Sequence, residues 1–138
     1  MQSVYTCLTE AHDHQLILLA AGVCVAGVYG SFAVAAHAAR SQGRAAMLWA
    51  GVSIIASGCT AWATHMIALL AFRPGMAAGF EPTLTALSLL VAIGGIGISI
   101  GLVIGQRDRL RRFAAGLGLG ASVAALHYLG EASYLVTG

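Results

Sequence analysis

With 59% hydrophobic and only 9% charged side chains over 138 residues, this chain lies far from a water-soluble domain, in which about a quarter of residues are charged. Its seven cationic residues are all arginine and the net charge is +2. They sit in short breaks and form no basic stripe, which argues against a nucleic-acid partner. What remains is a protein whose solvent is lipid.

A transmembrane helix needs roughly 20 apolar residues, and four segments reach that length, at 15–39, 45–72, 83–105 and 113–136. The chain therefore reads as an all-α integral membrane four-helix bundle, a single domain over residues 1–138. No Lys or Arg precedes Arg40, whereas a cleaved signal peptide opens with a positively charged region, so the first apolar stretch is expected to persist as a helix. The breaks fall at 40–44, 73–82 and 106–112, and six of the seven arginines lie in the first and third. The positive-inside tendency then places those two breaks in the cytoplasm, with both termini and the 73–82 break on the outer side of the membrane. Glu10, Asp13 and Glu81 all fall on the outward side. Cys7, Cys24 and Cys59 form no CxxC pair, and the two within spans read as small hydrophobes between helices. Gly97, Gly101 and Gly105, and also Gly116 and Gly120, recur at every fourth position, a spacing that predicts close helix packing in lipid, within the bundle or between subunits.

The two halves repeat one plan: an apolar helix, an arginine-bearing turn, then a helix with a late histidine. His65 in segment 61–72 and His127 in segment 124–135 occupy matching positions. Two repeated helical hairpins are the economical account.

An ionisable side chain inside a span costs about 2.5–3.5 kcal/mol at the helix centre and usually faces the bundle for a reason. Within the spans these are His65, His127 and Glu131; His12 and His14 stand at the outer mouth of the first helix, and His37 lies at its other end beside Arg40. At 1.5 Å per residue His65 lies about 10 Å, and His127 roughly 13 Å, below the outer helix ends. His127 and Glu131 are spaced i, i+4 and share a helix face. Imidazoles from several helices with one carboxylate suit a transition metal, which makes His12, His65, His127 and Glu131 the candidate ligands, with His14 a further one. Several other readings stand beside this one. Glu131 can act only by orienting His127, the histidines can be hydrogen-bonded core residues, and His65 with His127 can be axial ligands of a haem b in an electron-transfer subunit. A small transporter using Glu131 as a proton site is a further reading. Trp62 and Tyr128 read as packing near the membrane interface.

His12–Asp13 followed by the apolar run 16–20, Trp62 three residues before His65, the run 69–72, and Leu126–His127–Tyr128 with Gly130 together resemble the MHYT-domain family of bacterial membrane sensor modules. The resemblance covers most of the chain. It implies copper held by outward-facing His and Met residues, the sensing of a diatomic gas (oxygen, carbon monoxide or nitric oxide), and His12, His65 and His127 as the three histidine positions. Leu126 and Glu131 replace the methionines expected around His127, and Thr64–His65–Met66 and Ala68–Leu69 depart likewise. Losing thioether ligands admits zinc or iron beside copper. The resemblance further implies a non-enzymatic module in the lipid bilayer that works through a fused cytoplasmic output domain, a membrane partner subunit or a homo-oligomer.

Overall fold

A computed structural model describes residues 12–72, 77–104 and 107–137. Helix α1 spans His14–Arg40 and α2 spans Gly43–Ala71. Strand β1, Ala77–Phe80, leads into α3, a continuous helical span Pro82–Gly101. Helix α4, Arg109–Ser133, runs into strand β2, Tyr134–Thr137. All four helices are long and apolar enough to cross a membrane. The four expected spans are present, with shifted ends. The fourth begins earlier, at Arg109, because Asp108 Oδ1 accepts a hydrogen bond from the Leu110 N–H at 3.1 Å and caps the helix. It also ends earlier than 136, because 134–137 pair in an antiparallel ladder with 77–80. Cys7, Glu10, Arg73 and Gly105 lie outside the described residues.

The hairpin repeat extends to individual bonds. Asp13 caps α1 through the Gln15 and Leu16 N–H groups, as Glu81 caps α3 through Thr83 and Leu84. The Asp13 N–H donates to the Ala71 carbonyl, and the Glu81 N–H to the Ser133 carbonyl, each at 2.7 Å. His12 meets Phe72 with ring centroids 5.4 Å apart, and Phe80 meets Tyr134 at 5.5 Å. Both hairpins are thus closed in the same way at one end of the bundle, and the Tyr134 hydroxyl ties them together by donating to the Phe72 carbonyl at 3.3 Å. Arg40, Arg44 and the arginines of the α4 start lie at the other end.

The interior is rich in small residues: Ser53, Ser88, Ser133, Ala71 and Ala92 are fully buried beside Met66, Ile96 and Leu126, while Leu18, Tyr29, Phe32, Phe113 and Leu117 face outward. That inversion is what lipid permits, since apolar side chains gain nothing by leaving it and association comes from close packing. A Cβ at Gly58 would strike the Ile93 backbone, and one at Gly97 would strike Ile54. Gly101 also approaches Ile54, but Gly116 and Gly120 have nothing within 4 Å, and Gly118 packs on Ser99 instead. Within the chain the α4 contact therefore falls at Gly118, on another face of the helix, and Gly116 and Gly120 are left exposed. Where α3 passes α2 and α4, Ala92–Gly97 form a π-helical turn. Trp62, expected at the interface, lies inside, where its Nε1–H donates to Ser88 Oγ at 3.0 Å.

Candidate metal centre

The end of the bundle closed by the two strands carries the polar residues that the spans otherwise exclude. His65 projects from α2 and His127 from α4, and their rings meet edge to face with centroids 5.4 Å apart and planes at 66°. Two imidazoles bound to one ion at about 2.0–2.1 Å have centroids roughly 5–6 Å apart, depending on the bond angle. On the His127 side, Nε2 lies 3.2 Å from Glu131 Oε1. That is longer than the usual charge-assisted hydrogen bond of about 2.7–2.9 Å. It is close to the roughly 3.3 Å separating two donors of a tetrahedral ion. Each pair by itself, His65 with His127 and His127 with Glu131, lies in the range of two ligands on one ion. As the side chains stand, no three His, Cys, Asp or Glu residues among those described converge on a single point, so a His65 or Glu131 rotamer has to turn to complete such a set.

His65 is the more constrained imidazole. Its Nε2 is buried with no hydrogen-bond partner among the described residues, and the position a Cβ would take at Gly130 falls directly on that nitrogen. Only glycine lets α4 come this near the ring. A ring nitrogen taken out of water without a partner costs about 1–3 kcal/mol, a cost that a water, an ion or a locally strained packing has to account for.

His12 precedes α1 and reaches the site in extended backbone, bridged to Phe72. With His65, His127, Glu131, Phe72 and Tyr134 it lines one cavity of about 500 Å³. His127 and Glu131 are each about half exposed, at 53% and 52%. His14 is exposed on the first turn of α1 and does not line this cavity. His37 lies at the opposite end, edge-on to Trp49 at 4.8 Å. By the repeat, the place of His12 in the second half belongs to Phe80, so the two halves supply three histidines rather than four. Sequence reasoning did not find Gly130 or Tyr134. The match of Tyr134 to Phe72 was available in the repeat, but the role of Gly130 depends on how close α2 and α4 come.

A family model described as a bacterial signalling protein N-terminal repeat, MHYT, matches residues 58–116. The chain is 36% identical over 133 residues to an uncharacterised signalling protein of Caulobacter vibrioides, covering 96% of this chain and 16% of that protein. It is 30% identical over 130 residues to the bifunctional diguanylate cyclase/cyclic di-GMP phosphodiesterase MucR of Pseudomonas aeruginosa, covering 94% of this chain and 19% of that one. It is 32% identical over 87 residues to the cyclic di-GMP phosphodiesterase NbdA of the same organism, covering 62% of this chain and 11% of the relative. The chain thus spans less than a fifth of the length of each of these relatives. No solved structure matches it.

Proposed function

The chain belongs to the MHYT family of bacterial signalling-protein repeats, and we propose that it is a non-catalytic sensory module of the inner membrane that holds one transition-metal ion between His65 and His127. The supporting observation is the meeting of these two rings, from matching positions of the two hairpins, at 5.4 Å, with Glu131 on His127 and His12 on the same cavity. In this reading His65 and His127 are ligands, Glu131 completes the set or orients His127, and His12 closes it from the water side. Copper is the ion the family resemblance implies, and a His–His–Glu set serves Cu(II), Zn(II) and Fe(II) alike. When bound, a copper or iron ion supplies a coordination position for a diatomic gas such as oxygen, carbon monoxide or nitric oxide. The site lies at the outer end of the bundle and the arginine turns are cytoplasmic, which puts both termini outside. The output is a fused or partner domain of the kind named in the relatives, which make or degrade cyclic di-GMP.

Two axial histidines of a haem would sit across an intervening ring with centroids roughly 6 Å apart. The edge-to-face meeting seen here, with Gly130 against His65, favours a single ion. Metal analysis of protein purified without chelators tests the reading: near-stoichiometric metal in the wild type, lost in His65→Ala and His127→Ala and kept in His14→Ala. Equal metal in all four proteins refutes it, and an intense Soret band replaces it with the haem.

A further inference from the structure

Deeper in the bundle than His12 and Glu131, a second cavity of about 530 Å³ borders the same two histidines. Its walls come from all four helices, among them Cys24 and Val28 of α1, Ala61 and Thr64 of α2, Ile96 of α3 and Val123 of α4. Helix α1 packs on α2, and α4 on α3, so the chamber lies in the gap between α1 and α4 and faces the bilayer. Chambers with apolar walls stay dry and take up small apolar molecules, and this one has the size of ordinary small-molecule sites.

The hydroxyls on its wall divide into two groups. Ser57 and Thr60 donate to carbonyls of their own helix, at 2.9 Å and 2.7 Å, the usual arrangement for such residues. Ser31 Oγ and Thr64 Oγ1 are buried with no partner among the described residues, and Ser31 is only 2% exposed. A lipid acyl chain fills space but offers no acceptor. We propose that this chamber binds a small, uncharged, lipid-soluble molecule carrying a hydrogen-bond acceptor, admitted from the bilayer between α1 and α4 and held against His65 and His127. Binding stands on the chamber itself; only its consequence for signalling rests on the metal-site reading.

The test uses the full chain in lipid nanodiscs and two probes of similar shape, 4-fluoroacetophenone and 1-ethyl-4-fluorobenzene, followed by fluorine NMR. The ketone is expected to bind more tightly than the hydrocarbon. Thr64→Val should weaken the ketone by about 2–10-fold and leave the hydrocarbon unchanged. Val28→Trp, or Val123→Trp from the facing helix, should abolish binding of both, since each side chain lines the chamber yet is half exposed and can be enlarged without entering the core. Equal uptake by the wild type and both filled variants means partition into lipid alone and overturns the site. An unchanged ketone affinity in Thr64→Val overturns the acceptor and with it the ligand class. Metal content measured in parallel separates the two readings: ketone bound without metal keeps the chamber and sinks the metal centre.

Discussion

Replacing Gly130 with alanine puts a methyl group onto His65 Nε2, at a separation no real Cβ contact tolerates. Two responses are open: the imidazole turns away, or α2 and α4 move apart. Either one changes the 5.4 Å meeting of His65 with His127. Overpacking of this kind costs about 1–3 kcal/mol, and a change acting on a metal through its ligand typically lowers affinity about 10–100-fold. Gly116→Ala on the same helix is the control, because nothing lies within 4 Å of the new methyl. It should gain about 0.5–1 kcal/mol from reduced backbone freedom and bind metal as the wild type does. The assay is competitive metal titration beside thermal unfolding in detergent. Wild-type metal affinity in Gly130→Ala would refute the placement of His65 in the metal centre, whatever the melting temperature did.

Gly58→Ala should destabilise the bundle more than Gly118→Ala, because the first methyl meets the Ile93 backbone and the second presses only on the Ser99 hydroxyl, which can turn; thermal unfolding of the pair checks this, and equal losses would contradict it. Glu81, at the head of α3, is held below its usual carboxylate range by the Leu84 N–H and then the Thr83 N–H. A depressed folded-state pKa contributes stability that is present above the unfolded value of 4.5 and disappears as pH falls through the folded value. Thermal unfolding of the wild type should therefore weaken below about pH 4.5 more than that of Glu81→Gln, and parallel curves would remove the cap from the account. For topology, a cysteine at Phe80 should react with an impermeant maleimide added outside intact cells and one at Ser41 should not, both in a chain lacking its native cysteines; the reverse pattern inverts the proposed orientation.

The four spans and their pairing into repeated hairpins were legible from the residues because lipid imposes a coarse requirement: enough apolar length, with polar breaks between. The approach of His65 to His127 followed from the same repeat, since two residues at matching places in two like hairpins arrive at matching depth. The four-residue glycine spacing meets a neighbouring helix at Gly97 and Gly101, while Gly116 and Gly120 face away from the other described helices of the chain. Spacing names a face of a helix, and only the neighbouring helix decides whether that face is covered. The pairing of 77–80 with 134–137 joins distant segments whose apolar residues read equally well as the end of a span. The π-turn at Ala92–Gly97 falls where α3 comes closest to Ile54 of α2 and Ser122 of α4, a meeting that periodicity along one helix does not reveal. Composition and periodicity thus determined what lies in the membrane and which polar residues are anomalous there. The distance between α2 and α4, set by a glycine against an imidazole ring, decided that His65 and His127 stand side by side with their rings 5.4 Å apart.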